Sequence, residues 1–239
     1  MRVNWNTLKL SLLLATVIGL YGFSDYRSKQ REIDDIEIKF LGDNTLFVTE
    51  ASVNKLLIQN YGAVKNRAKE KLVLNTIEEV IQSNDMVKKA QVYFTVDGKL
   101  VSKIVQRKPI GRIESESKFY LDDSGKNMPL SKYHSARVPI ITGKITGETL
   151  EDVYVILNYV NADDFLRKNV IGIHIAEEGN YQLKFRLENF VVNLGGVDNL
   201  NEKFKNFMAF YAKATKDNSL EKYAVVSLEF NNQVVCTKI

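Results

Sequence analysis

The first strong pattern along the chain is an uncharged run of fifteen residues, 10–24. As an α-helix this run would measure about 22 Å, and extension back to Trp5 lengthens it to about 30 Å, the thickness of a membrane's hydrocarbon core. The extension requires Lys9 to place its ammonium group among the lipid headgroups. Aromatic residues at both ends are typical of a spanning helix. The pattern predicts a membrane anchor, whose characteristic residues are Trp5, Lys9, Leu10, Leu14, Ile18, Tyr21 and Phe23.

Two other interpretations of this run stay open. A cleaved signal peptide has an apolar region of similar length, although residues 22–24 would be a poor cleavage site. A buried helix of a globular protein would also be apolar. If the run is an anchor, residues 1–9 form a leading tail, residues 10–24 the membrane core and residues 25–32 a short connector.

The chain from 33 to 108 alternates between strand and helix patterns. The pair Asp97-Gly98 is a strong hairpin signal, because both residues tolerate positive φ. The order strand, helix, helix, strand, strand predicts a small α/β unit. Its predicted elements are a strand through Ile36, Ile38 and Phe40, helices Thr49–Tyr61 (N-cap Thr49) and Leu74–Gln82, and strands Ala90–Val96 and Lys99–Arg107.

From 109 to 239 strand patterns dominate, after a region that contains all three prolines. Each strand alternates apolar and polar residues, which predicts one buried and one solvent-facing side and favours a mostly antiparallel sheet. Together with the first unit this is an α+β fold. The predicted inward sets are Ile171, Ile173 and Ile175; Tyr181, Leu183, Phe185 and Leu187; and Phe190, Val192 and Leu194. Two amphipathic helices, around 150–157 and 200–211, and two closing strands, Ala224–Phe230 and Gln233–Lys238, complete the unit.

Composition and net charge reduce the number of function classes that fit the chain. Apolar residues make up 45% and charged residues 26% of the chain, which is typical of a globular protein. Residues 1–31 carry the entire net charge of +4, so residues 32–239 are neutral overall, and nucleic-acid binding is not favoured. The basic run 65–71 is interpreted as a solvated loop or helix end or, alternatively, as a contact with the membrane surface. Charges flank the apolar run on both sides and leave its orientation open.

No constellation of residues indicates catalysis or metal binding. One cysteine excludes a disulfide framework and a multi-cysteine zinc site. His134 lies in a predicted loop and His174 on the solvent-facing side of its strand. Residues 122–125 and Gly195-Gly196 are interpreted as turns, and Cys236 as a buried thiol. The sequence therefore predicts a protein without a cofactor or a catalytic site.

Six segments, taken in order, resemble the cell-division proteins FtsQ and DivIB. The chain departs from the family pattern at Asp85, Gln106, Ser227 and Glu229, which makes it a divergent member. The resembling segments are Leu74–Val80 and Asn84–Tyr93, similar to the POTRA domain, Gln106–Arg112 ("ER-x-P-x-A"), Tyr120–Gly125 ("Y-L-D-x-x-G"), Val138–Gly143 ("L-P-x-L-x-G") and Tyr223–Phe230 ("Y-x-x-V-D-L-R-Y").

The resemblance implies a non-enzymatic scaffold of the bacterial division septum. Residues 1–9 would be cytoplasmic, and a POTRA domain at 33–108 and a β domain at 109–239 would lie outside the cytoplasmic membrane. It implies small coiled-coil membrane partners of the FtsB and FtsL type, and neither nucleic acid nor a small-molecule substrate. Another POTRA-bearing component of envelope assembly or secretion is the alternative. An anchored hydrolase would need a catalytic pair that the sequence does not offer.

The final strand is the predicted partner-binding site. No later segment follows it, so it is expected at a sheet edge, where unpaired main-chain groups can accept a partner strand. A neighbouring strand or loop covering this edge is the alternative. The resemblance also places the family's partner surface after Phe230. The candidate residues are Tyr223, Phe230, Asn232, Gln233, Val234, Val235, Cys236 and Thr237.

Overall fold

The computed structural model describes residues 5–29, 32–42, 47–62, 72–176, 179–230 and 232–239. The basic run 65–71 therefore lies outside the described residues. The chain divides into two units, Met1–Gln106 and Arg107–Ile239. This division falls two residues before the expected end of the first folded domain at 108.

The first helix, α1 (Trp5–Lys29), contains the whole uncharged run. Its stretch Leu8–Arg27 is long and apolar enough to cross a membrane, and none of that stretch is buried inside the protein. The helix also continues through residues 25–29, which were expected to belong to the connector. Its 25 residues measure about 37 Å, somewhat more than the hydrocarbon core.

The folded part of the first unit has the predicted order of elements. Thr49 caps the second helix, because its hydroxyl accepts from the Ser52 N–H while the Ser52 hydroxyl accepts from the Thr49 N–H. In the three-stranded sheet the central strand is β3, with β1 parallel to it on one side and β2 antiparallel on the other. The elements are β1 (Ile36–Leu41), α2 (Glu50–Tyr61), α3 (Leu74–Gln82), β2 (Val87–Phe94) and β3 (Leu100–Gln106).

The second unit is built on a nine-stranded sheet. Its strand order is β12-β11-β10-β9-β8-β7-β4-β5-β6. The strands are β4 (Pro109–Glu114), β5 (Lys118–Asp122), β6 (Asn127–Pro129), β7 (Ile140–Gly143), β8 (Val170–Ile175), β9 (Tyr181–Phe185), β10 (Val191–Gly195), β11 (Tyr223–Ser227) and β12 (Val235–Lys238). The helices are α4 (Gly147–Ala162), α5 (Asp164–Asn169) and α6 (Leu200–Lys216), followed by a 3₁₀ turn, Leu220–Lys222.

This sheet is mixed, although antiparallel pairs are the majority. Three of its eight strand pairs are parallel: β4 with β7, β7 with β8, and β10 with β11. Two of the parallel pairs are joined through helices, because α4 and α5 separate β7 from β8 and α6 separates β10 from β11. Parallel neighbours need such crossovers. Helix α5 was not predicted from the sequence.

One face of this sheet packs under the helices and forms the core. Alternate residues of the strands point to that face, and aromatic rings from α6 fill it; the Phe207 ring centroid lies 5.0 Å from that of Phe185. Leu187 was expected inside but is 77% exposed, because β9 ends two residues earlier. The core-facing residues include Ile113, Ile141, Ile173, Leu183, Val192 and Val226.

Candidate partner-binding edge

Strand β12 lies at one end of the nine-stranded sheet, as the sequence predicts. It pairs with β11 in antiparallel register, with Val225 opposite Thr237 and Ser227 opposite Val235. Among the described strands, none pairs with its other side. The strand is shorter than expected, because Gln233 and Val234 precede it in irregular backbone.

The main-chain groups of β12 alternate between its two sides. The Ile239 N–H donates to the carbonyl immediately before β11, with 3.1 Å between nitrogen and oxygen. By alternation, the N–H and C=O groups of Thr237 and Val235 also face β11. Those of Cys236 and Lys238 therefore face the open edge, where a partner strand would meet them.

The side chains of the predicted site point to opposite faces of the sheet. Val234 and Cys236 pack against the core under the helices. Burial raises the pKa of the Cys236 thiol, which disfavours a reactive thiolate. Val235 is 43% exposed, and Thr237 is exposed on the other face. A partner strand could therefore touch the side chains of Val235 and Thr237 more readily than those of Val234 and Cys236.

The predicted site residues outside β12 also differ in how far their side chains are exposed to solvent. The Tyr223 ring is half-buried and packs edge-on against Phe210, with 5.4 Å between ring centroids. Phe230 is 50% exposed. Asn232 adopts a left-handed conformation with φ of 60°, and Gln233 is exposed. Phe230 is thus the large apolar side chain of this group that solvent reaches most freely, whereas Tyr223 mainly supports the core.

The polar groups that suggested chemistry in the sequence have structural roles. Asp122 is buried; it pairs with Arg107 at 2.7 Å and accepts from two main-chain N–H groups of the following turn. The Lys203 ammonium donates to the Gly196 carbonyl and pairs with Asp198, so it supports the Gly195-Gly196 turn. Within the described residues, no three His, Cys, Asp or Glu side chains are grouped to hold a metal ion.

The sequence predicted which strand lies at the edge, but it did not predict which main-chain groups of that strand face the open side. The edge position predicted for β12 is confirmed by the strand order, whereas the inward or outward direction of each N–H depends on register with β11. The parallel crossovers did leave a signal that the alternation argument overlooked. A strand, a helix of more than ten residues and another strand in succession are typical of a parallel β-α-β unit.

Comparison with known proteins agrees with this architecture. A family model described as a POTRA-like domain matches residues 34–105. A second model, described as FtsQ/DivIB, C-terminal related, matches residues 108–237, more than half of the chain. No curated protein matches the sequence. The two models, in this order, cover both folded units, and the chain belongs to the FtsQ/DivIB family of non-enzymatic cell-division scaffolds as a divergent member.

Proposed function

We propose that this protein is a single-pass membrane scaffold at the bacterial division site, which binds small coiled-coil proteins of the FtsB and FtsL type outside the cytoplasmic membrane. The open edge of β12 is the proposed binding site. The observation that carries the proposal is that Cys236 and Lys238 direct main-chain groups away from β11 at the end of the sheet. Family membership supports the role in cell division.

Binding at this edge would proceed by strand addition. A partner segment in extended conformation pairs with the outward main-chain groups of Cys236 and Lys238, and these bonds recognise backbone rather than sequence. Side-chain contacts with Val235, Thr237 and Phe230 then supply specificity. Phe230 is suited to an anchor, since it is large, apolar and half-exposed.

Helix α1 gives the scaffold its proposed location. Its apolar stretch Leu8–Arg27 would hold both folded units at the membrane. Lys29 ends the helix, and Ile33 is already buried in the core of the first unit. Four residues reach at most about 14 Å, so the first unit would lie near the membrane surface, where membrane-anchored partners are concentrated.

The proposal can be tested with a matched pair of substitutions at Cys236. Cys236→Pro removes an outward main-chain donor, whereas Cys236→Ala keeps that donor and changes only the side chain. The full chain would be purified in detergent and its affinity for the FtsB-like protein of the same cells measured. We expect the proline variant to bind at least about tenfold more weakly and the alanine variant nearly normally.

The side-chain anchor is tested separately by Phe230→Ala. Truncation of an anchor residue commonly costs about 2 kcal/mol, which is close to a thirtyfold loss of affinity. Full affinity in both Cys236→Pro and Phe230→Ala, with unchanged circular dichroism, would place the partner elsewhere. If the full chain retains outer-membrane β-barrel proteins instead of FtsB-like proteins, the envelope-assembly alternative is favoured.

A further inference from the structure

The face of the nine-stranded sheet opposite the helices carries a groove. It crosses strands β7, β8, β9 and β10 and has a volume of about 400 Å³. Three apolar side chains, Ile140, Ile171 and Val191, line it on different strands. Ile140 is 45% exposed, although it lies in the middle of the sheet rather than at an edge.

Two local features of β8 create this groove. The first is Gly172, which lies between Ile140 and Lys184 in the strand register and leaves the space of a side chain empty. A Cβ atom at this position would meet only the Ile140 carbonyl oxygen and the Lys184 Cβ, both at 3.5 Å, which is ordinary contact. The second is the register shift between Val170 and Gly172, beside which Ile171 lines the groove instead of packing fully in the core.

Among the residues that the structure describes, the ionisable side chains that line the groove are His174 and Lys184, and no acidic residue lines it. An adjoining cavity, which shares His174, adds Lys144 and is also lined without a carboxylate in the described part of the chain. On the neighbouring strand β4, Glu114 pairs with Lys118 and Arg112. The hydrogen bond from Lys118, then the charge of Arg112, lowers the pKa of Glu114. Among the described residues, this face therefore combines an apolar floor with two lysines, Lys184 and Lys144.

The dimensions of the groove suit a helix. Four adjacent strands span about 14 Å, and an α-helix with its side chains is about 10–12 Å across. An added strand is less suitable, because strands bond within the plane of a sheet and not across its face. The opposite face of the same sheet already packs against helices.

We infer that the open face of β7–β10 is a second docking surface, which takes an acidic amphipathic helix of a protein partner. The apolar stripe of the helix would cover Ile140, Ile171 and Val191, and its flanking carboxylates would meet Lys184 and Lys144. The space above Gly172 would receive one large side chain of the helix. This inference does not depend on the proposed role of the β12 edge.

The test uses three synthetic peptides that carry a photoreactive leucine. The first is an amphipathic helix of leucine and glutamate, the second has the same composition in scrambled order, and the third replaces glutamate with lysine. Each is irradiated with the full chain in zwitterionic nanodiscs, and the cross-linked residues are mapped by mass spectrometry. We expect the first peptide to cross-link at Ile140, Ile171 or Val191, at least about tenfold more than the other two.

Two substitutions on the groove and one control decide whether these cross-links report docking. Gly172→Val fills the empty space, and Lys184→Glu reverses the charge; each should lower the cross-link yield at least about tenfold. Lys205→Glu, on an exposed position of α6, is the matched charge control and should leave the yield unchanged. Equal capture of the lysine peptide, cross-links mapped elsewhere, or a yield unaffected by Lys184→Glu would overturn the inference. If Gly172→Val does not fold, Lys184→Glu still tests whether the peptide docks in the groove. Cys236→Pro, which changes the β12 edge and not the groove, should leave the cross-link yield unchanged.

Discussion

At the scale of single residues, Gln106 shows how an amide can hold a buried loop. Its Oε1 accepts from the Phe47 and Val48 N–H groups at 2.9 and 3.1 Å, and its Nε2 donates to the Val48 carbonyl at 3.0 Å. The glutamate usual in the resembling motif could accept the first two bonds but, when ionised, could not donate the third. Gln106 therefore fits this loop better than the residue it replaces.

We expect Gln106→Leu to destabilise the first unit more than Gln106→Glu does. Leucine removes all three hydrogen bonds that Gln106 makes to buried main-chain groups, which should cost at least about 2 kcal/mol. Glutamate keeps two of the three bonds and should cost less. Amide hydrogen exchange at Phe47 and Val48 would show the difference locally. Equal protection in both variants would mean that the loop is held by other contacts.

Tyr211 gives the stability of the second unit a dependence on alkaline pH. Its hydroxyl donates to the Glu188 carboxylate at 2.7 Å, and burial, that bond and the nearby charge raise its pKa to about 12. In the unfolded chain the pKa is near the ordinary value of 10.0. Between these values the unfolded chain has released more protons, so the free energy of unfolding falls as pH rises.

We expect Tyr211→Phe to flatten this fall between about pH 10 and pH 12. The ring contacts with Phe165 and Phe207 are kept in the variant, so its loss of stability near neutral pH should be limited to the hydrogen bond. Urea denaturation followed by circular dichroism at several pH values would measure both effects. A parallel decline in the two proteins would contradict the role of Tyr211.

At the scale of elements, the outer edge of β2 is covered by side chains of a helix, whereas the outer edge of β12 is open among the described strands. The outer edge of β2 in the first unit is covered by helix α3: the Glu78 carboxylate accepts from the Val92 N–H at 2.6 Å, and the Gln82 amide donates to the Ala90 carbonyl at 3.3 Å. Glu78 and Gln82 are four residues apart and so lie on one face of the helix. These side chains occupy the main-chain groups that an added strand would use.

Removing the Glu78 and Gln82 side chains should allow β2 to pair with strands of other molecules. We expect the double variant Glu78→Ala, Gln82→Ala to self-associate with increasing concentration, because two of its edge groups become free to pair with another chain. Glu79→Ala, on an exposed neighbouring position of α3, is the control and should stay like the unsubstituted protein. Sedimentation in detergent would measure association. A monomeric double variant would show that other features protect this edge.

Most helices and strands could be predicted from the sequence, but the pairing of the strands within the sheets could not. Helix α3 was predicted at its observed bounds, Leu74–Gln82, because a short amphipathic stripe depends only on local spacing. The parallel pairs of β7 and the register shift in β8 depend on residues far apart in the chain. The β12 edge could therefore be anticipated, whereas the groove around Gly172 could not, since its residues come from four strands.

At the scale of the whole molecule, helix α1 is long and apolar enough to cross a membrane, and its orientation would determine on which side of that membrane the two units lie. Charges before the apolar stretch are balanced by those after it, so the positive-inside rule gives little preference for either orientation. Family membership is consistent with a single-pass membrane protein, and its orientation is a proposal. If the leading residues are cytoplasmic, the charges at Arg27 and Lys29 oppose that orientation, while Arg2 supports it.

The orientation can be tested with reporters fused after Ile239. We expect alkaline phosphatase there to be active and a cytoplasmic reporter inactive, and the intact mass of the purified protein to include the residues of α1. Because the balance of charge is close, Arg2→Gln should lower phosphatase activity, whereas Arg27→Gln with Lys29→Gln should keep or raise it. An active cytoplasmic reporter would reverse the topology, and a mature chain beginning near Ser24 would replace the anchor with a signal peptide. Either result would also remove the reason to expect membrane-anchored partners at the β12 edge.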